Sequence, residues 1–390
     1  MKNQQMIIFF TVVLLIYSLV NIYIFIKGYN AISSFRSHRL LYLVTFAGLA
    51  GTFIAGKFLE SRHSTVFSDI LNTAGGFWLA FMLYGFLFLL ASDLLYLILR
   101  ISGILNHENI YLYRKWSYLA TLSVSVVLIT AGFINALTPH VIRYDVAIGK
   151  KADGINSMRV VAVSDIHLGS VIRKRSVKKL SLILEKQQPD LVLLLGDIID
   201  GEIGPVLRGD LLKYFTCPHC KNGMYAITGN HEFIGGAERT IPYIESKGIR
   251  ILKDETVTIE GGIQLTGRLD RDSRRFFGKE RASLEELVKD TDKTKPLILL
   301  DHQPFNLAEA ENNGIDLQLS GHTHDGQIWP LNWLTGKIYE LSHGYLKKGN
   351  THYIVSSGYG IWGPRIRLGS RSEVLLINLV FNGALPPPEG

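Results

Sequence analysis

Apolar and polar positions follow two different textures along this chain. Before residue 144 the apolar residues form four long runs. Met6–Ile26 carries no charge over 21 residues, and Leu40–Phe58 is apolar and Gly-rich with Lys57 near its end. Thr73–Leu99 holds a single charge, Asp93, and Tyr118–Ala136 holds none. A helix needs roughly 20 apolar residues to cross the hydrocarbon of a bilayer, so the runs predict four spanning helices. Tyr23, Tyr29, Tyr42, Tyr96, Tyr113, Trp116 and Tyr118 gather near the run ends, as an interfacial belt requires. The first run exceeds the apolar core of a secretory signal and no small-residue cleavage site follows it, so it reads as a span. Asp93 reads either as a functional acid within the membrane or as a headgroup-level residue at the end of a long tilted helix.

After Pro139 the apolar runs shorten. Met158–Ser164, Leu191–Leu195, Gly223–Thr228, Leu297–Leu300, Leu317–Ser320, Tyr353–Ser356 and Val374–Leu379 predict strands, several of them continuously apolar. Thr256–Ile259 and Ile263–Thr266 predict a hairpin around Gly261-Gly262. Val177–Lys186 has helical spacing, with Leu180, Ile183 and Leu184 on one face, and Ile244–Lys247 ends another helix. Continuous apolar strands alternating with helices predict an α/β sandwich. The expected division is a transmembrane domain over 1–143, a linker over 144–154, a catalytic domain over 155–380 and a tail over 381–390.

Charge sharpens this division. Charged residues make up 19% of the 390, against about 25% in ordinary soluble domains. The net charge of +7 suggests nucleic acid or an anionic membrane as partner. Its distribution decides between them: ten Lys and Arg face four Asp and Glu before residue 144, and 31 face 30 after it. The basic excess belongs to the membrane part, so no nucleic acid is expected as a partner, and a nuclease is disfavoured. The loops Lys27–Arg39 and Arg100–Lys115 carry Lys27, Arg36, Arg39, Arg100, Arg114 and Lys115. The positive-inside rule places them in the cytoplasm and the catalytic domain outside, while Lys2, Arg143, Lys150 and Lys151 weigh the other way. Two cysteines exclude a multiply stapled scaffold and a four-cysteine metal site.

The candidate chemistry lies at strand ends. Val161–Ser164 leads into Asp165-Ile-His167, and Leu191–Leu195 into Gly196-Asp197-Ile-Ile-Asp200. Met224–Thr228 leads into Gly229-Asn230-His231-Glu232, Leu297–Leu300 into Asp301-His302, and Leu317–Ser320 into Gly321-His322-Thr-His324. Open α/β sheets build their sites at such ends. Carboxylate, imidazole and amide donors suit Mn, Fe, Zn or a similar divalent ion. Seven donors exceed the needs of one ion and suit two ions bridged by a carboxylate. Each residue alone reads better as a cap or a buried polar group; the ordered set does not.

Five blocks in this order resemble the calcineurin-like metallophosphoesterases, and the resemblance covers residues 155–380. It implies an αββα sandwich of two mixed sheets flanked by helices. It further implies two divalent metal ions, one held by Asp165, His167 and His324, the other by Asn230, His302 and His322, with Asp197 bridging. A hydroxide shared by the ions would attack the phosphorus, and His231, not a ligand, would stand beside the scissile phosphate. Asp200 and Glu232 would support the site. Ser320-Gly-His-Thr-His-Asp-Gly-Gln-Ile328 and the tail from Ser356 through Pro364-Arg-Ile-Arg-Leu368 to Glu373 resemble the membrane-associated YkuE-like and YaeI-like branch, in which Asp325 stands where glycine is usual. One class of relatives there cleaves the pyrophosphate of UDP-diacylglucosamine.

The expected activity is therefore hydrolysis of a phosphodiester, phosphomonoester or pyrophosphate by a multi-pass membrane protein, on a phosphorylated, lipid-linked substrate. A protein phosphatase and a non-catalytic membrane sensor or scaffold are the competing functions. Arg365 and Arg367 are candidate clamps on a second phosphate, or strand-surface charges. Arg173-Lys-Arg175 with Lys178 and Lys179 reads as a face for anionic lipid or as a solvated helix face. Cys217-Pro-His-Cys220 leaves a disulfide, two free thiols and a redox or zinc site open. His343 and His352 read as ordinary histidines.

Overall fold

The computed structural model describes residues 2–32, 36–106, 109–278 and 280–382. Of the tail expected over 381–390, residues 383–390 lie outside the described residues. The chain divides into a helical unit, Met1–Phe133 with Gly363–Ile366, and an α/β unit, Ile134–Trp362 with Arg367–Gly390.

The helical unit contains α1 (Lys2–Ala31), α2 (Arg39–Arg62), α3 (Val66–Ile101) and most of α4 (Ile110–Ala136). All four are long and apolar enough to cross a membrane. Each extends past its expected span because a helix continues through polar residues beyond the hydrocarbon until a cap stops it. Thr65 caps α3, its hydroxyl accepting from the Ser68 amide while the Ser68 hydroxyl accepts from the Thr65 amide. Polar side chains inside the bundle find one another, as a medium without water demands. Trp78 Nε1 donates to Asn21 Oδ1 at 2.9 Å, and Asn21 Nδ2 donates to the Tyr17 carbonyl at 2.8 Å. Asp93 is ion-paired with Lys27 and accepts from the Tyr23 hydroxyl at 2.7 Å, so within this bundle it ties α3 to α1.

The strands of the α/β unit are β1 (His140–Ile148), β2 (Ser157–Val163), β3 (Leu191–Leu194), β4 (Met224–Ala226), β5 (Ile249–Ile251), β6 (Glu255–Thr258), β7 (Gln264–Gly267), β8 (Leu297–Leu300), β9 (Leu317–Ser320), β10 (Gly344–Lys348), β11 (Thr351–Val355) and β12 (Glu373–Phe381). They form two six-stranded sheets, ordered β1-β12-β2-β3-β4-β5 and β10-β11-β9-β8-β7-β6. Both are mixed: β12 runs antiparallel to β2, and β10 and β6 run antiparallel to β11 and β7, while the other pairs are parallel.

Alternation along the strands explains the layers. Val160 and Ala162 of β2 pack with Leu265, Ile298, Leu300 and Leu319 between the sheets. Val161 and Val163 point the other way, to Leu180 and Leu184 of α5 (Lys174–Gln187). Leu297 and Leu299 of β8 pack outward on Leu284, Val288 and Leu307. Strands covered on both faces are predominantly apolar, β3 and β8 throughout, and the layers form the αββα sandwich expected.

The segment expected as a linker, 144–154, instead holds most of β1. That strand pairs with β12 along its whole length, from His140↔Glu373 to Ile148↔Phe381. Cys217 and Cys220 are joined in a disulfide.

Candidate metal centre

The ends of β2, β3 and β4, neighbours in one sheet, and of β8 and β9, neighbours in the other, deliver the candidate residues to one place. The turns are tight. Asp165, His167, Asp197, His322 and His324 all take positive φ, between 50° and 72°. Non-glycine residues avoid this region, and where they are held in it the cost is borne by surrounding structure, commonly at functional sites. Part of that structure is the Glu232 carboxylate, which accepts from the amides of Asp197, Ile198, Ile199 and Gly229 at 2.7–3.0 Å. Gly321 permits the other approach: a Cβ there would collide with Ser164 Oγ and Asp165 Oδ2. Asp325 takes φ 47° and so supplies the left-handed turn for which glycine is usual.

Among the described residues, two groups of donors lie side by side. Asp165, His167 and His324 form one, Asp197, His302 and His322 the other. In the first, the Nε2 atoms of His167 and His324 are 3.0 Å apart, and His324 Nε2 is 3.4 Å from Asp165 Oδ1. In the second, His302 Nε2 is 3.3 Å from Asp197 Oδ2, and Asn230 Oδ1 is 3.0 Å from His322 Nδ1. The same oxygen, Asp197 Oδ2, is 3.8 Å from His167 Nε2. One carboxylate oxygen thus faces both groups.

The far nitrogens are oriented by neighbours. His167 Nδ1 meets Asp200 Oδ1 at 3.2 Å, His302 Nδ1 meets the Leu195 carbonyl at 2.6 Å, and Arg367 Nη2 lies 3.2 Å from His324 Nδ1. A third group, His167, Asp200 and His231, shares Asp200 Oδ1, which is also 3.1 Å from His231 Nδ1. The His231 ring stands edge-on to His167 at 4.6 Å, and Trp362 lies 6.4 Å beyond it.

The electrostatics fit a cation. Burial pushes the carboxyls of Asp165, Asp197 and Asp200 up, but histidine neighbours outweigh it and hold all three below the usual range. The leading partners are His324 for Asp165, His302 for Asp197 and His167 for Asp200. Burial presses His322 and His324 down to about 4, leaving both neutral with a lone pair to give. His302 is raised despite burial, chiefly by Asp197, and His231 is raised to about 9, against burial, by Asp197 and Asp200. Buried carboxylates thus draw positive charge into the site. Nε2 of His302 is buried and makes no hydrogen bond. Oxygen and imidazole donors converging around buried carboxylates are what a divalent ion requires.

Other expected residues lie elsewhere. Arg367 was a candidate phosphate clamp and is not available as one. It is fully buried, and its guanidinium donates to the carbonyls of His324, Ser357, Gly358, Gly360 and Arg371 and to Ser370 Oγ. Arg365 belongs to the helical unit, its guanidinium 5.5 Å from the Phe133 ring. Asp301 is held in ion pairs with Arg268 and Arg281. His343 pairs with Glu373 at 3.1 Å and His352 with the Tyr345 hydroxyl at 2.8 Å. Sequence reasoning missed Arg367 as a support of His324, and Trp362 beside His231. The signal available was the segment from Ser356 to Leu368, in which both lie.

Residues 158–326 match the calcineurin-like phosphoesterase family. A Campylobacter jejuni protein described as an uncharacterized metallophosphoesterase is 32% identical over 384 residues, which are 95% of this chain and 98% of that one. The chain belongs to the calcineurin-like metallophosphoesterases. Within the family, a Danio rerio transmembrane protein with metallophosphoesterase domain is 29% identical over 270 residues, 66% of this chain and 61% of its own length. The UDP-2,3-diacylglucosamine pyrophosphatase LpxG of Chlamydia muridarum is 24% identical over 325 residues, 67% of this chain and 96% of that one. This metallophosphoesterase is accordingly a metal-dependent phosphoric ester hydrolase with four candidate membrane spans.

Proposed function

We propose that this metallophosphoesterase hydrolyses a phosphodiester or pyrophosphate bond in a lipid-linked substrate, using two divalent ions. The observation that carries the two-ion reading is the position of Asp197 Oδ2, 3.8 Å from His167 Nε2 and 3.3 Å from His302 Nε2. Asp165, His167 and His324 would hold one ion, Asn230, His302 and His322 the other, and Asp197 both. Bound there, the ions would supply Lewis acidity toward phosphoryl oxygens and acidify a water at neutral pH.

The rest falls to the chain. Asp200 accepts from His231 Nδ1 and leaves Nε2 as the atom that carries a transferable proton. Oriented in this way, His231 would act as general acid, delivering its Nε2 proton to the departing oxygen. Glu232 and Gly321 keep the ligand loops in register. Lipid linkage is supported by the four candidate spans and by the relative named as a diacylglucosamine pyrophosphatase. We place the catalytic unit outside the cytoplasm, in keeping with the basic loops and with a disulfide between Cys217 and Cys220.

The test is hydrolysis by the reconstituted protein with Mn²⁺. Turnover of a UDP-linked diacylglucosamine well above that of bis-p-nitrophenyl phosphate supports the proposal. Turnover of the soluble diester alone argues against lipid linkage. Folded protein inert toward both with every divalent ion favours a scaffold.

A further inference from the structure

One face of the α/β unit is unlike the rest. The helix Leu331–Ile338 buries none of its residues. Trp329, Leu331, Trp333, Leu334, Ile338 and the nearby Trp362 are 41–64% exposed. Three of these six are tryptophans, and Trp329 and Trp333 pack edge to face at 5.6 Å. Single exposed apolar residues need no explanation, but a cluster of this kind marks an interaction surface.

The cluster's place in the fold names its partner. Trp329 donates its amide to the Leu368 carbonyl at 2.6 Å. The segment around Leu368 is fastened to Asn135, whose Nδ2 donates to the carbonyls of Arg367 and Ser370 at 3.0 and 2.9 Å. Asn135 lies in the last turn of α4, a helix long and apolar enough to span a bilayer. The tryptophan cluster is therefore two hydrogen-bonded steps from the residue at which the chain leaves that helix. Cations attend the same exit. Lys179 donates to the Leu137 carbonyl at 2.7 Å, and Lys174, Arg175 and Lys178 are exposed on the same helix, α5. Tryptophans with a polar ring edge, aliphatic side chains and lysines are the composition that settles at the headgroup level.

We infer that the face formed by Trp329, Leu331, Trp333, Leu334, Ile338 and Trp362 seats in the interfacial zone of the lipid bilayer, with α5 toward anionic headgroups. The seated element continues into the metal centre. Gln327 accepts from the Trp362 amide at 2.9 Å and donates to its carbonyl at 2.8 Å, and His324 opens the turn that Gln327 closes. A phosphate at headgroup height would thus meet the site without leaving the membrane. That consequence rests on the lipid-linked substrate proposed above; the seating itself does not.

The experiment uses the full chain in phosphatidylcholine nanodiscs, with a bimane label at Leu334→Cys or, in a second variant, Ile338→Cys. Lys289→Cys, an exposed position on another helix end, is the control, and the paired Cys217 and Cys220 take no label. Doxyl-labelled phosphatidylcholine should quench positions 334 and 338 several-fold more than 289, with a blue shift in emission. Quenching at 334 and 338 no greater than at 289 overturns the inference. Oxidative cross-linking of Leu334→Cys into dimers that exclude doxyl lipid overturns it as well, in favour of a second copy of the chain. Hydrolysis of bis-p-nitrophenyl phosphate by the same samples reports on the chemistry separately, because none of the labelled positions touches the metal centre.

Discussion

Asp200 Oδ1 lies 3.1 Å from Nδ1 of His231, and the same oxygen meets His167 Nδ1 at 3.2 Å. A residue that appeared from its motif to be a support thus orients both a donor of the first group and the histidine beside it. Removing its charge while keeping its shape should disturb both. Asp200→Asn is expected to lower kcat about 10- to 100-fold with KM little changed, the usual range for an outer-shell partner. Steady-state kinetics with bis-p-nitrophenyl phosphate check this, and a drop in KM alone would contradict it.

His231 carries the pH dependence. Without metal its imidazole is raised to about 9, because Asp197 and Asp200 favour the charged form more than burial opposes it. Its folded value lies above the unfolded value of about 6.5, so its contribution to stability is complete below that pH. That contribution is lost as pH rises through about 9. A divalent ion at Asp197 should neutralise that carboxylate and lower His231. Proton NMR of the metal-free protein should show the His231 titration near 9, moving down on adding Zn²⁺. In the active protein, kcat should fall as pH rises through the lowered value. His231→Ala should cut turnover while the bound metal stays unchanged; loss of metal would make His231 a ligand.

Arg367 should matter for folding and metal retention, not for phosphate affinity. Its donors reach five backbone carbonyls and a hydroxyl with no exposure to water. Arg367→Ala leaves those acceptors buried and unpaired, at a cost of more than about 3 kcal/mol. Arg367→Lys restores the charge but not the fork, and should recover only part of the loss. Urea unfolding followed by tryptophan fluorescence measures the first effect. A raised KM at unchanged stability would instead return Arg367 to the role of phosphate clamp.

How far the sequence could be read depended on burial. β3 and β8 are covered on both faces, so each appears as an unbroken apolar run with a ligand block at its end, and β2 and β9 are interrupted only near Arg159 and Gln318. β1 escaped because only Val146 and Ile148 of its nine residues are buried. It follows the last span directly, so its polar residues read as a linker. β5 has exposed Arg250 at its centre and β10 has no buried residue, so neither leaves an apolar run to detect. The donor set was legible as spacing, and the structure gathers it. Arg367 was misread because arginine is ordinarily a surface residue, and nothing local says that five donors will be enclosed. The state of Cys217 and Cys220 needed the fold as well: two cysteines three apart suit a disulfide, thiols or a metal equally, and only their placement joins them.

On the two-ion proposal, Asp197 serves both ions at once. Metal content of the purified chain, measured by inductively coupled plasma mass spectrometry alongside Mn²⁺-dependent hydrolysis of bis-p-nitrophenyl phosphate, addresses it most directly. Two ions per wild-type chain, one or none in Asp197→Asn, and hydrolysis lost in the variant and after chelation is the predicted result. Undiminished metal content and hydrolysis in Asp197→Asn would contradict it.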